Sequence, residues 1–360
     1  MNKDNHTITK SILWDVTWKC NLRCAHCYNA DYLANQKSVN IEDNYNRIVD
    51  RLKDLQFNHI HLLGGEPLCE ESIFDLIEYA VSKDIIITIN TNGTLLTEQT
   101  TKRLIDLGVK QITVSLDGAV AEDNDVIRGK GVFERVVNNL STASLLIEKQ
   151  KSQMILQVAT VITGQNVANI HRMPKILADI KIKYLDVLKL YECGNAITNG
   201  ANLILTPEEY IEAIGKILIE AYRKGVYLQI DCKPKVLEYV NARYGFNVSL
   251  NSVFNKCEAG QKMFYMDQLC NIFPCGPIAN RIKRNEFEEE MRVSLFDSDA
   301  EEKMRLFGVW TCSKSCSVNA FCKKCKYVSG CSGCALCQGG EDLLCRKAAE
   351  IFGVRADALA

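Results

Sequence analysis

The sequence predicts an α/β protein built on a parallel sheet, followed by a cysteine-rich segment of different character. Two observations carry this. Short β-branched runs alternate six times with helical patterns before residue 225, and eight of the 17 cysteines crowd between Cys312 and Cys345. Alternation of that kind is the signature of right-handed βαβ units. A chain of 360 residues with 47% apolar content can bury a large core, in two domains or one barrel.

The elements follow in order. Ser11–Trp18 reads as a buried strand leading into a loop with Cys20, Cys24 and Cys27. Asn40 can cap a helix from about Ile41 to Leu55, whose apolar face is Ile41, Tyr45, Ile48, Leu52 and Leu55. His59–Leu63 is a strand ending in Gly64-Gly65-Glu66-Pro67; Ser72–Lys83 is helical, and Ile85–Asn90 is a strand. Thr97 caps the next helix, which stops near Gly108. Gln111–Leu116 is a strand before Asp117-Gly118, Phe133–Glu148 a helix, and Met154–Ile162 and Tyr184–Leu190 strands. Thr206-Pro-Glu-Glu209 is a capping box with proline at the first helical position, opening a helix that ends at Gly225. Val226–Ile230 is strand-like, and beyond it the pattern loosens. Six units fall short of a closed eight-unit barrel, and a doubly wound sheet would alternate in the same way. In either architecture ligands gather at the carboxyl ends of the strands. Cys20–Cys27, Gly64–Glu66, Asn92, Asp117 and Glu192 all fall there, which argues for one active site.

Composition narrows the class. A net charge of −1 does not suggest nucleic acid or an anionic membrane as partner. The longest apolar run, Ile85-Ile-Ile-Thr-Ile89, is far short of the roughly 20 residues a membrane span needs. Residues 1–10 are polar, without the apolar centre of a signal peptide, so a cytoplasmic protein is expected. In that setting 17 cysteines point to metal ligation rather than disulfides.

The C-x3-C-x2-C loop is the most specific local signal. Three thiols can reach one centre from a single loop, yet they leave a four-iron cluster one ligand short. Electron-carrying clusters normally have four thiolates, so three suggest an iron kept open for a substrate or cofactor. A zinc half-site is the alternative, but His26 lies inside the loop and is poorly placed as a fourth ligand. With Gly64-Gly65-Glu66 at the next strand end, the chain resembles the radical S-adenosylmethionine (radical SAM) enzymes. That resemblance implies a partial (β/α)6 TIM-like barrel with a [4Fe-4S] cluster on Cys20, Cys24 and Cys27. It implies that SAM chelates the open iron and is cleaved to a 5′-deoxyadenosyl radical. Gly64, Gly65 and Glu66 would hold the methionyl amino group, while Ser115, Asp117 and Arg128 look like ribose and carboxylate contacts. An aromatic residue usually stands where this chain has His26.

The C-terminal cysteines read in isolation as zinc ribbons, though they outnumber two zinc tetrahedra. Their order resembles the SPASM extension of radical SAM enzymes, which implies two auxiliary [4Fe-4S] clusters. Cys322, Cys325, Cys331 and Cys345 would hold the outer one; Cys257, Cys275 and Cys334 would hold the inner one, with Cys337 as the alternate to Cys334. Cys270 takes the place of a family glycine and either completes the inner cluster or sits free. Cys312 and Cys316 have no assigned place, and Cys69, Cys193 and Cys232 read as small buried hydrophobes, Cys193 being the one nearest the site. Gly276 stands where the sulfatase-maturing branch has a catalytic aspartate, which counts against that route.

The expected organisation is a barrel over residues 1–225, a connection over 226–256, an auxiliary-cluster domain over 257–345 and a tail over 346–360. The expected activity is hydrogen abstraction from a ribosomally made peptide, forming a cross-link or an oxidation, so an oxidoreductase and peptide maturase. A flavodoxin or ferredoxin would be the reductant. With so few residues before the first strand, a separate peptide-recognition protein is a further expected partner. A small-molecule substrate such as a tetrapyrrole or sugar intermediate is the first alternative, and a non-enzymatic zinc-binding adaptor the second.

Overall fold

In a computed structural model of the chain, the described residues are 8–33, 44–191, 193–230, 234–245, 258–283 and 289–315. Ten strands form one sheet: β1 (Ser11–Thr17), β2 (His59–Gly64), β3 (Ile86–Thr91), β4 (Gln111–Ser115), β5 (Ile155–Ile162), β6 (Tyr184–Lys189), β7 (Tyr227–Ile230), β8 (Met263–Met266), β9 (Asn271–Phe273) and β10 (Val293–Ser294). Their order is β10-β9-β8-β1-β2-β3-β4-β5-β6-β7. From β8 through β7 every pairing is parallel, whereas β9 and β10 are added antiparallel.

From β1 to β7 each strand is laid beside its predecessor. Right-handed crossovers then put every connecting helix on the same face. That face is apolar throughout, with Ile12, Trp14, Ile60, Leu62, Ile87, Ile89, Ile112, Val114, Val158 and Val187 fully buried. Each such side chain contributes about 1.5–3 kcal/mol of burial. The opposite face, read from the alternation along each strand, carries polar side chains: His59, His61, Thr88, Asn90, Gln111 and Gln157. His59 joins Ser11 Oγ at 2.9 Å and Thr88 Oγ1 at 2.8 Å, while His61 Nδ1 also meets Thr88 Oγ1. Gln111 donates to Gln157 Oε1 at 2.6 Å. A closed barrel fills its interior with branched apolar residues; this open sheet instead has a polar inner face.

The six expected strands are all present, and the sheet has two more parallel ones. Tyr227–Ile230 extends it beyond β6, and Met263–Met266 pairs with β1 on the opposite edge. The segment expected to open a separate cysteine-rich unit therefore continues the barrel sheet. Val226–Ile230 is strand-like in the sequence as well, but a pairing between β1 and β8 is invisible along the chain. Helix signals fared better. Thr97 accepts from Thr100 N, and the Thr206/Glu209 capping box is closed in both directions. The cap proposed for Asn40 lies outside the described residues; within them the helix runs Tyr45–Asp54. A helix over Ala121–Arg128 was not anticipated, although Glu122 and Asp123 in its first turn and Arg128 in its last suit the helix dipole. Among the described residues no helix is long and apolar enough to cross a membrane.

Candidate functional site

The carboxyl ends of β1 to β6 converge on the cysteine loop, and backbone contacts fix its path. The β1–β2 register slips between Asp15 and Thr17, so Thr17 pairs with Gly64 and the strand ends diverge. Gly65 N donates to Thr17 O at 2.6 Å and Glu66 N to Lys19 O at 2.7 Å. A Cβ on Gly64 would lie 2.4 Å from Thr17 O, and one on Gly65 2.2 Å from Lys19 O. Both glycines are thus required by close approach to the loop backbone itself, in addition to any approach to a ligand.

Four further anchors hold the loop. Ala25 N donates to Ile127 O at 2.7 Å, and Asn195 N to Cys27 O at 2.9 Å. Asn195 Nδ2 reaches Cys24 O and Asn199 Nδ2 reaches Ala25 O, each at 2.9 Å. Asn92 Nδ2 donates to Asn21 Oδ1 at 2.8 Å. These asparagines had no sequence signal beyond turn propensity. Their role comes from carbonyls and amides presented by a loop more than a hundred residues away in the case of Asn195.

Cys20, Cys24 and Cys27 are free, half-buried thiols on this loop. Burial raises all three thiol pKa values, Cys27 to about 12, and neighbouring sulfurs add to the rise at Cys20 and Cys27 while Asp117 adds to it at Cys24. Among the described residues no three His, Cys, Asp or Glu groups converge closely enough for a single metal ion. Iron would draw off the thiol protons on binding.

His26 and Asp117 belong together with Arg128. Asp117, fully buried, places Oδ2 2.6 Å from Arg128 Nη2 and 2.8 Å from His26 Nε2, and its Oδ1 accepts from Val161 N at 2.7 Å. Burial alone would raise the Asp117 pKa, but Arg128 and His26 hold it well below the usual carboxylate range. Arg128 is buried and puts Nη1 3.9 Å from Cys24 Sγ. The buried His26 Nδ1 and Arg128 Nε have no protein partner among the described residues. Orphaned polar atoms beside three thiols fit a site for an iron–sulfur cluster and a polar cofactor.

Glu66 is placed differently from the expectation that its carboxylate faces an ammonium group. It is fully enclosed, with Oε1 accepting from Thr91 Oγ1 at 2.7 Å and Leu68 N at 3.1 Å, and Oε2 from Asn92 N at 2.6 Å. Three donors leave only one acceptor position, on Oε2. Ser115 ends β4, half-buried and paired with Ala159. Cys69 is half-buried beside Cys20, and its thiol is pushed up to about 11 by burial. Cys193 is buried just before the Gly194–Asn199 stretch that clamps the loop. Cys270 precedes β9 and Cys275 follows it, Cys270 lying in the apolar core. Cys257, Cys322, Cys325, Cys331, Cys334, Cys337 and Cys345 lie outside the described residues, as do Glu192, Cys232 and Cys316.

A sheet of this topology with three loop thiols at its carboxyl edge defines a class. The Radical SAM superfamily matches residues 15–178, and the chain carries a radical SAM domain there, of a family whose members are enzymes that use SAM and a [4Fe-4S] cluster. Among its relatives is the AdoMet-dependent heme synthase of Methanosarcina barkeri (strain Fusaro), 23% identical over 335 residues, which are 90% of each chain. Another is the mycofactocin maturase MftC of Mycolicibacterium smegmatis, 29% identical over 170 residues, 46% of this chain and 41% of that protein. Its fold is that of Streptococcus suis SuiB, seen bound to the precursor peptide SuiA, with a TM-score of 0.66 and 17% identity over 93% of this chain and 72% of SuiB.

Proposed function

We propose that this radical SAM enzyme removes a hydrogen atom from a peptide and so installs a cross-link or an oxidation. The peptide reading is carried by the peptide-modifying relatives: the chain is similar to the mycofactocin maturase MftC, and its fold to that of SuiB, which is seen bound to the precursor peptide SuiA. A polycarboxylate such as a tetrapyrrole calls for Arg or Lys, and the Arg128 guanidinium is already engaged by Asp117.

In this reading Cys20, Cys24 and Cys27 hold the radical-generating cluster, and SAM lies against Gly64–Glu66, Ser115 and the Asp117–Arg128 pair. When bound, cluster and SAM supply the one-electron cleavage that yields methionine and the 5′-deoxyadenosyl radical. The chain's own contribution is to fix the loop, exclude water and orient the substrate. Residues 257–345 would carry the auxiliary clusters, with Cys257, Cys275, Cys334, Cys322, Cys325, Cys331 and Cys345 as ligands, and a flavodoxin or ferredoxin would deliver the electron. The second reading, a tetrapyrrole substrate, is favoured by the heme synthase relative, which is matched over 90% of its length.

The test is anaerobic turnover with SAM and reductant, offering a short peptide encoded beside the gene or an iron tetrapyrrole. A peptide product two hydrogens lighter, with 5′-deoxyadenosine, is expected; decarboxylated tetrapyrrole would replace the peptide reading by the second one. A Cys20/Cys24/Cys27 triple alanine variant should lose deoxyadenosine release while retaining the iron of any auxiliary clusters. Zinc in place of iron, with no turnover, would leave only the adaptor alternative.

A further inference from the structure

Asp15 is fully buried one turn of loop away from the cysteines, and its carboxylate has three donors. Tyr28 Oη gives to Oδ1 at 2.9 Å; Asn29 Nδ2 at 2.7 Å and Tyr265 Oη at 2.5 Å both give to Oδ2. An enclosed carboxylate with no ion-pair partner in contact is costly to bury, so it persists only where its hydrogen bonds hold something in place. Asn29, itself buried, is what it holds. Tyr28 and Asn29 are the two residues that follow Cys27, so with both side chains tied to Asp15 the backbone leaving that sulfur is fixed.

The third donor comes from the other end of the molecule. Tyr265 lies on β8, in register with Leu13 of β1, and its ring packs where a Cβ on Gly276 would stand, 3.6 Å away. Lys283, on the helix Gly276–Lys283, sits 4.1 Å over the ring of Tyr32 and 3.3 Å from Asp267. The shoulder of the cysteine loop, Tyr28 to Tyr32, is therefore docked on the β8–β9 unit through one buried carboxylate and one lysine.

We infer that Asp15 is a positioning residue for the Cys27 sulfur, acting through Asn29, and that Tyr265 couples this setting to β8. The inference rests on the reading that Cys20, Cys24 and Cys27 hold the radical-generating cluster. Hydrogen bonds to ligating sulfurs tune the potential of such clusters. Loosening the two residues that follow Cys27 changes the surroundings of that sulfur and so moves the potential of the cluster.

The experiment is an EPR-monitored redox titration of anaerobically purified full-length wild type, Asn29→Ala and Tyr265→Phe, following the iron signal that responds to added SAM. Both variants are expected to keep their iron and to show a shifted midpoint, Tyr265→Phe by the smaller amount because it acts through Asp15. Melting temperatures are measured alongside. Lower melting with unmoved midpoints in both variants is the mark of a purely structural network and overturns the inference. A shift in Asn29→Ala alone overturns the coupling to β8. A wild type without any SAM-responsive iron signal defeats the cluster reading itself, which separates the two failures.

Discussion

Acidification should destabilise this protein through two residues of its inner face. His59 and His61 sit on β2, joined to Ser11 Oγ and Thr88 Oγ1, and burial lowers both pKa values from 6.5 to about 4. The unfolded chain therefore binds protons that the folded chain refuses between those values. Stability from this source is complete above about pH 6.5 and declines as the pH falls toward about 4. For one imidazole with these two pKa values, linkage gives a loss of about 2 kcal/mol on going from about pH 7.5 to about pH 5. The pair then amounts to at most about 4 kcal/mol, a large share of the roughly 5–15 kcal/mol typical of a domain. The assay is urea unfolding at both pH values for wild type and for a His59→Gln/His61→Gln variant, each with cluster content matched. The variant should lose less stability on acidification, by a few kcal/mol. An identical pH slope in the two proteins would refute the argument, because it would mean that these imidazoles titrate alike in the folded and unfolded chains.

The remaining predictions concern the strand-end carboxylates. Glu66→Gln turns one oxygen into a donor that faces Thr91 Oγ1 and Leu68 N or Asn92 N. It should cost about 2–4 kcal/mol, from a lost charge-assisted bond and an unpartnered buried N–H, and weaken SAM binding; calorimetric titration and thermal melting read both. Asp117→Asn leaves Arg128 buried without its counter-ion, a loss of about 3–5 kcal/mol, and Asp117→Asn with Arg128→Met should recover part of it in the same melts. A double variant no more stable than Asp117→Asn would show that the charge pair is not what the site depends on.

The sequence by itself determined the chemistry-bearing spacing and most of the fold. Cys20, Cys24 and Cys27 are close in the chain, so their proximity needs no folding. The strands from Ser11 to Lys189 were legible because β-branched runs bounded by helix caps such as Thr97 and Thr206 are local features. Tertiary structure decided everything that depends on which strand ends meet. Only the parallel pairing of β1 with β8 brings Tyr265 to Asp15, 250 residues earlier. Only the packing of helix Ala121–Arg128 over the loop makes Arg128 the buried partner of Asp117. Glu66 shows the same limit from another side. Its position at a strand end was readable, but whether a carboxylate meets ligand or protein depends on donors supplied by Thr91 and Asn92 of the next strand end. Hydrogen bonds and ion pairs act over about 3 Å in space, and the chain's order carries no record of which distant groups will come within that range.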